Sequence, residues 1–184
     1  MHTLIFDGSP HKNGDTAALI QAFREKLQGE STVIRAYGAQ VSPCVDCRAC
    51  WKKPGCAIRD GMQEIYRLIE ESDAIVIAGP IYYSELPGPL LSLLSRLQMY
   101  YAMGRFQKLH PNQKPKRGGV LLCGGGNGGP ERAVETAQTL LRCMNAKEIA
   151  APVMSLHTDD IPADKDETAL QNARELSDFL EKRM

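Results

Sequence analysis

Four of the six cysteines of this 184-residue chain lie within the thirteen-residue segment CVDCRACWKKPGC. They are Cys44, Cys47, Cys50 and Cys56. A disulfide needs two thiols and a catalytic thiol needs one, so this density predicts a bound ligand or redox chemistry. Four thiols this close can share one metal centre.

The other two cysteines lie outside this segment. Cys123 ends an apolar strand pattern, and Cys143 falls on a predicted helix. Both are predicted to be small buried side chains, because free cysteine packs as a small apolar residue.

Composition is that of an ordinary globular protein, with 43% hydrophobic and 24% charged residues. A chain of this length fits one domain, so we expect residues 1–184 to form a single domain. Its 22 basic and 22 acidic residues cancel, which leaves no overall field to attract nucleic acid or an anionic membrane. The basic segment KLHPNQKPKRG is predicted to be a solvated loop.

No stretch approaches the roughly 18 apolar residues of a transmembrane helix. The first residues run straight into a strand pattern, without a basic segment and a cleavage site. We therefore expect a cytoplasmic protein with no membrane partner. Because the cytoplasm keeps thiols reduced, the clustered cysteines are expected to hold metal or to cycle rather than to staple the fold.

Apolar periodicity predicts strands and helices that alternate along the chain. Strands are predicted at residues 2–7, 31–37, 73–79 and 119–124 and near 147–153. Helices are predicted after residue 16, from about 60, over 89–103, over about 130–144 and from about 164. The unbroken apolar run at 73–79 is typical of a strand that is buried on both faces of a parallel sheet.

Five strand–helix units predict an α/β fold with a doubly wound, five-stranded parallel sheet, because parallel neighbours need crossover connections. In such sheets ligands bind beyond the carboxyl ends of the strands. Three of those ends carry unusual loops, GSPHKNGDT, GPIYYSELPG and GGGNGG. We expect the three loops to meet in one site.

The first loop lies between a strand and a helix N-terminus, where free amides and the helix dipole favour an anion. Its candidate ligands are the hydroxyl, amide and basic side chains of Ser9, Thr16, Asn13, His11 and Lys12. The loop matches neither GxxxxGK[ST] nor GxGxxG. It is predicted to bind a phosphate, and the alternative is a tight turn in which Asp15 or Thr16 caps the helix.

The second loop places Tyr82 and Tyr83 after Pro80 and Ile81, where they are positioned to flank a flat ring. The alternative is that these tyrosines only form the rim of the core. The third loop has glycines that let a ligand approach the backbone closely, at positions 124, 125, 126, 128 and 129. Its alternative is a flexible surface loop.

In order and spacing, the segments GSPHKNGDT, CVDCRACWKKPGC, DGM, DAIVIAGPIYY and CGGGNGG resemble the flavodoxin-like NAD(P)H-dependent FMN oxidoreductases. They are most similar to the iron–sulfur flavoproteins of that family. The resemblance covers about residues 2–150. It implies a flavodoxin-like sheet with strand order 2-1-3-4-5, FMN as cofactor and NAD(P)H as electron donor.

The resemblance places the FMN phosphate on the first loop, the isoalloxazine on the second and its far edge on the third. The implied cofactor-binding residues are Ser9, His11, Lys12, Asn13, Gly14, Asp15, Thr16, Pro80, Ile81, Tyr82, Tyr83, Ser84, Gly124, Gly125 and Gly126. Asp15 and the pair Ser84-Glu85 depart from the family pattern. A carboxylate beside a phosphate is repulsive unless it turns away to cap the helix, and Glu85 is expected to narrow the substrate side of the flavin.

The spacing C-x2-C-x2-C-x5-C is similar to the compact motif by which iron–sulfur flavoproteins hold a [4Fe–4S] cluster. The resemblance therefore implies metal ligation by Cys44, Cys47, Cys50 and Cys56. Thiol–disulfide chemistry, or an empty loop, is the second hypothesis. Zinc is the third, since structural zinc more often uses two separated Cys-x-x-Cys pairs.

The combined hypothesis is an oxidoreductase in which NAD(P)H passes hydride to FMN, for reduction of a quinone, an azo or nitro compound, free flavin or the cluster. The cofactor supplies this chemistry, so no side chain is assigned as an acid or base.

One rival hypothesis is a flavodoxin-type electron carrier, although such carriers usually depend on a strongly charged face. Another is a redox or metal sensor built on the cysteines. The expected partner is a small-molecule acceptor or a redox protein, and the family implies a homodimer or homotetramer.

Overall fold

The computed structural model describes residues 1–182, whose strands form one parallel sheet. The strands are β1 His2–Asp7, β2 Glu30–Arg35, β3 Ala74–Pro80, β4 Lys116–Gly124, β5 Ala146–Ile149 and β6 Val153–Leu156. The helices are α1 Asp15–Lys26, α2 Ala49–Lys52, α3 Met62–Glu71, α4 Gly88–Leu94, α5 Gln98–Ala102, α6 Glu131–Cys143 and α7 Glu167–Glu181. Strand–helix alternation therefore follows the sequence prediction.

The strand order is β2-β1-β3-β4-β5, with β6 also paired to β4. This confirms the predicted flavodoxin-like order, but the sheet has six strands and the predicted count of five is wrong. β5 pairs with the start of β4, whereas β6 pairs with its end. The fifth position is split just before β6 by Pro152, which has no backbone N–H to donate to a neighbouring strand.

Helices cover both faces of the sheet because successive strand side chains point to opposite sides. On one face, Ile5 and Val76 belong to a core cluster with residues of α1 and α7. On the other face, Phe6 and Ile77 belong to a cluster with residues of α3, α4 and α6. Full burial of each such side chain contributes roughly 1.5–3 kcal/mol. The two cores fix the strands whose carboxyl ends carry the three loops.

The chain is helical over the whole predicted range 89–103, but it does not form a single regular α-helix. After α4 the chain forms a 3-10 turn at Ser95–Leu97, then α5, then a π-helical turn at Met103–Gln107. Ser95 Oγ donates to Ser92 O at 2.6 Å, and this kind of back-bonding competes with regular helix. Arg96 lies on the 3-10 turn, and its side chain is buried.

The basic segment at 108–118 is not wholly a solvated loop, because its last residues enter β4 and are buried. Lys116 Nζ donates to Asn112 Oδ1 at 2.7 Å and to Lys114 O at 2.8 Å. Burial lowers the pKa of Lys116 to about 8. The prediction failed because charge composition alone does not show where a strand begins.

The two isolated cysteines differ from each other. Cys123 is buried in β4, as predicted, and burial raises its pKa to about 12. Cys143 is exposed at the end of α6, so its predicted burial is wrong. Its neighbours Leu141 and Met144 take the buried positions of that turn instead.

No helix within residues 1–182 is long and apolar enough to cross a membrane.

Candidate functional site

The three loops meet at the carboxyl edge of the sheet in a pocket of about 300 Å³, here named the strand-end pocket. It is lined by Ser9, His11, Asn13, Gly14, Asp15, Thr16, Pro80, Ile81, Tyr82, Cys123, Gly125, Thr158 and Asp159. Most of the predicted cofactor-binding residues are therefore together. Lys12, Tyr83, Ser84, Gly124 and Gly126 are not among the lining residues.

A buried carboxylate fixes the first loop. Ser9 N–H donates to Asp7 Oδ1 at 2.9 Å, and Ser9 Oγ accepts from His11 N–H at 3.2 Å. Burial raises the pKa of Asp7, opposed by this hydrogen bond and by the charge of Arg35, which lies 3.5 Å from Asp7 Oδ2. These hydrogen bonds position Ser9 and His11 at the start of the loop.

The N-terminus of α1 faces the pocket without a side-chain cap. Its cap residue is Gly14, and within residues 1–182 no side chain bonds to its first amides. The Asp15 carboxylate turns away and accepts from Ala163 N–H at 2.8 Å, so it braces the 3-10 turn Ala163–Lys165 instead of capping its own helix. The first amides of a helix have no partners within the helix, so these are available to an anion.

The second loop is a two-residue hairpin. Tyr82 and Glu85 exchange two backbone hydrogen bonds, of 2.9 and 3.0 Å. The residues between them, Tyr83 and Ser84, have φ of 53° and 64°. Such turns favour Asn-Gly because both positions need positive φ, so two ordinary side chains here are strained. Tyr82 is 43% exposed and lines the pocket, whereas Tyr83 is 100% exposed.

Two side-chain bonds tie this hairpin to its surroundings. Ser84 Oγ donates to Gly128 O at 2.9 Å, which links the hairpin to the glycine loop. Glu85 Oε2 accepts from Thr136 Oγ1 at 3.0 Å. The Glu85 carboxylate therefore points to α6, and Glu85 is not among the residues that line the pocket.

The third loop is joined to a segment that sequence reasoning missed. The amides of His157, Thr158 and Asp159 donate to the carbonyls of Gly126, Gly124 and Gly125 at 3.2, 3.0 and 3.2 Å. A Cβ on Gly125 would lie 2.6 Å from Asp159 Oδ2. Thr158 and Asp159 follow β6 directly, so the rule that ligands bind at carboxyl strand ends could have found them.

The cysteine loop, residues 44–56, follows β2 and contains the short helix α2. Its four cysteines line one cavity of about 20 Å³, which is room for about one water. Cys44 and Cys47 are exposed, whereas Cys50 and Cys56 are half-buried. Burial raises the pKa of Cys50, and the like charges of the other three thiols add to that rise.

All six cysteines are free. Within residues 1–182, no group of three or more His, Cys, Asp and Glu side chains is arranged to hold a single metal ion. The donor set nevertheless fits an iron–sulfur cluster, which takes four thiolates.

Side chains of residues 95–107, in the helical segment that follows α4, support the cysteine loop. Cys44 N–H donates to Ser95 Oγ at 3.0 Å, and Gln107 Nε2 donates to Cys50 O at 2.7 Å. Arg96 Nη2 donates to Cys56 Sγ at 3.3 Å. The 3-10 and π-helical turns thus position these contacts, and π-helical turns are frequent at functional sites.

Comparison with known proteins agrees with this geometry. The family model for NADPH-dependent FMN reductases matches residues 1–160. The chain is 30% identical to an iron–sulfur flavoprotein of Methanosarcina thermophila over 185 residues, which covers 95% of this chain and 92% of that protein. It is 29% identical to an iron–sulfur flavoprotein of Archaeoglobus fulgidus over 172 residues, covering 92% of this chain and 74% of the relative.

Solved structures share the fold. An NAD(P)H:quinone oxidoreductase from Methanothermobacter marburgensis superposes with a TM-score of 0.74 at 17% identity, covering 100% of this chain and 98% of that one. An FMN-dependent NADH-azoreductase from Bacillus anthracis gives 0.66 at 16% identity, with 99% and 100% covered. The fold and the matched sequence agree, and the chain belongs to the NADPH-dependent FMN reductase family, among the iron–sulfur flavoproteins.

Proposed function

We propose that this protein uses NAD(P)H and FMN bound in the strand-end pocket to reduce a quinone, an azo or nitro compound, free flavin or an iron–sulfur centre. The observation that carries the proposal is the convergence of three strand-end loops on one pocket in a member of an FMN reductase family. When bound, FMN accepts hydride from the nicotinamide and gives up electrons to the acceptor.

Different residues of the strand-end pocket are suited to different parts of FMN. The uncapped amides at the start of α1, with the hydroxyl of Ser9, are suited to the phosphate. Pro80 to Tyr82 offer flat and apolar surface to the ring. Gly125 permits close backbone approach, and Asp159 limits the space beside it. The strained hairpin at Tyr83 and Ser84 forms the outer rim.

The cysteine loop is proposed to hold a [4Fe–4S] cluster on Cys44, Cys47, Cys50 and Cys56 as a second redox centre. Four thiols on one cavity support this, and so do the two relatives that are named iron–sulfur flavoproteins. Zinc is the lesser alternative, since structural zinc more often uses two separated Cys-x-x-Cys pairs.

Anaerobic purification tests both centres at once. We expect about one FMN and four iron per chain, with bleaching of the flavin by NADPH or NADH without a partner protein. A protein that neither contains nor gains flavin on addition of FMN contradicts the pocket assignment. Flavin that is bound but not bleached identifies an electron carrier. Zinc in place of iron contradicts the cluster.

We also propose a cytoplasmic homodimer or homotetramer. Six free cysteines suit a reducing compartment. Tyr83 is fully exposed beside the strand-end pocket, where a second copy would cover it. Light scattering of the flavin-loaded protein measures the assembly, and a monomer at micromolar concentration contradicts it.

A further inference from the structure

We propose that Arg96 is a positioning residue for the cluster, and that its guanidinium closes the cysteine loop and raises the reduction potential of the cluster. This inference rests on the proposed cluster. It concerns a side chain that no sequence pattern marks and that lies forty residues beyond Cys56.

Arg96 is a buried cation with a dense set of partners. It lies on the 3-10 turn after α4 with only 1% of its surface exposed. A charge removed from water is costly unless it is paired and hydrogen-bonded. Its donors contact Ser42 O at 2.8 Å, Asp60 Oδ2 at 2.8 Å, Ile58 O at 3.2 Å and Cys56 Sγ at 3.3 Å.

These partners lie on both flanks of the cysteine loop. Ser42 precedes the loop, whereas Ile58 and Asp60 follow it. Ser42 N–H also donates to Asp60 Oδ2 at 2.9 Å, which closes the ring of contacts around the guanidinium. Arg96 therefore fixes the two ends of the loop relative to each other and holds Cys56 beside them.

One donor of this guanidinium is left without a partner. Nε of Arg96 is buried and makes no hydrogen bond within the described residues. Arg96 also lines the cavity that the four cysteines enclose. A buried donor without an acceptor is rare in native proteins, so a group that brings acceptors into this cavity is expected. The sulfurs of an iron–sulfur cluster are such acceptors.

Charge gives the direction of the effect on potential. Asp60 already balances the guanidinium in the absence of a cluster. Four thiolates give the cluster a net negative charge, which grows by one on reduction. A buried cation that donates to a ligand sulfur stabilises the more negative, reduced state more than the oxidised state. Arg96 therefore raises the reduction potential.

The test compares Arg96→Gln, Arg96→Lys and wild type after anaerobic reconstitution with iron and sulfide. The midpoint potential of the cluster is measured by EPR during titration with dithionite and redox mediators. We expect the lowest potential in Arg96→Gln, which loses the charge, and an intermediate one in Arg96→Lys, which keeps it but loses the planar set of donors. Iron content should fall in the same order, while FMN content stays unchanged.

The control is Arg67→Gln, because it removes the same charge elsewhere. Arg67 lies on α3 in an exposed pairing with Glu64 and Glu71. Its substitution should leave the potential at the wild-type value. A residue that only holds the fold together would change thermal stability but not the potential of the clusters that do assemble.

Two results overturn the proposal. The first is a cluster that assembles in both Arg96 variants and has the same midpoint potential as in the wild type. This result would show that the guanidinium does not act on the cluster. If Arg96→Gln does not fold, a wild-type or higher potential in Arg96→Lys has the same meaning. A wild-type protein that binds FMN but takes up no iron overturns the cluster and this role together, and leaves the FMN proposal intact.

Discussion

The strand-end pocket and the cysteine loop are two sites of one molecule that are supported in different ways. The pocket lies at the carboxyl ends of β1, β3 and β4. The glycine loop after β4 is joined to residues 157–159 by backbone hydrogen bonds. The cysteine loop has little regular structure. Its contacts include side chains of a distant segment, namely Ser95, Arg96, Met103, Phe106 and Gln107.

The comparison shows that a sheet can shape a ligand site with its backbone, whereas a long loop needs individual side chains. Strain is concentrated at both places. Of the seven non-glycine residues with positive φ in residues 1–182, five lie at these sites: Asp46, Arg48, Tyr83, Ser84 and His157. Such residues persist only where the surrounding structure holds them. The two sites should therefore respond separately to substitution.

Cys50→Ala should have the largest effect. It removes one of the four proposed ligands, and changes beyond the ligand shell alone already cost about 10- to 100-fold in metal affinity. We expect iron content to fall by more than about tenfold while FMN affinity changes less than about twofold. Iron assay and fluorescence titration of FMN measure the two values. The matched control is Cys143→Ala, an exposed cysteine outside the loop, which should retain both cofactors. Loss of FMN in Cys50→Ala would show that the two sites are coupled.

Gly125→Ala should weaken FMN binding and leave the iron content unchanged, which is the reverse of the result expected for Cys50→Ala. Its Cβ would lie 2.6 Å from Asp159 Oδ2, so the carboxylate must shift into the pocket or the glycine loop must move. We expect FMN affinity to fall about tenfold, which is about 1.4 kcal/mol. Iron content should not change.

Gly126→Ala is the control for this variant, because nothing lies within 4 Å of a Cβ at that position. It should bind FMN as the wild type does. Equal weakening in both variants would mean that glycine flexibility, rather than the contact with Asp159, shapes the pocket.

The sheet and the three loops could be predicted because each depends on short-range pattern. The apolar run at 73–79 marked a buried strand, and β1 was predicted at its observed bounds. Strand ends in a parallel sheet share one edge, so three loops separated by more than a hundred residues could be placed together. The division of the last strand into β5 and β6 was not predicted, although Pro152 lacks the backbone N–H that a continuous strand would donate to its neighbour.

The supports of both sites could not be predicted because they depend on tertiary contact. Arg96 lies within an apolar helical pattern, and its buried side chain bonds to Ser42, Ile58 and Asp60, which belong to another part of the chain. Asp15 was expected to bind the cofactor or, alternatively, to cap its own helix, but its carboxylate accepts from the N–H of Ala163, which is 148 residues away. Periodicity identifies neighbours within one element, and it contains no information on which distant amide a carboxylate will meet.

Gln107→Ala tests one such distant support and should have a moderate effect. The side chain donates to Cys50 O at 2.7 Å from the π-helical turn. A net hydrogen bond contributes about 1 kcal/mol, so cluster retention during dilution should fall about fivefold. Gln113→Ala, in the exposed loop before β4, is the control. Unchanged retention would show that the remaining contacts of the loop hold it without Gln107.

Tyr83→Asn should have the smallest effect, and it should be stabilising. A left-handed conformation costs an ordinary residue roughly 1–2 kcal/mol, and asparagine tolerates it better. Since Tyr83 is 100% exposed, its ring gives up little contact in the isolated chain. We expect the free energy of unfolding in urea to rise by about 0.5–1 kcal/mol. Tyr37→Asn, at an exposed tyrosine that is not among the positive-φ residues, should give no rise in the free energy of unfolding.

The FMN affinity of Tyr83→Asn should stay within about twofold of wild type, because Tyr83 does not line the strand-end pocket. A tenfold loss of FMN would instead place the ring of Tyr83 on the flavin, as the sequence resemblance implied, and would show that the hairpin closes when the cofactor binds.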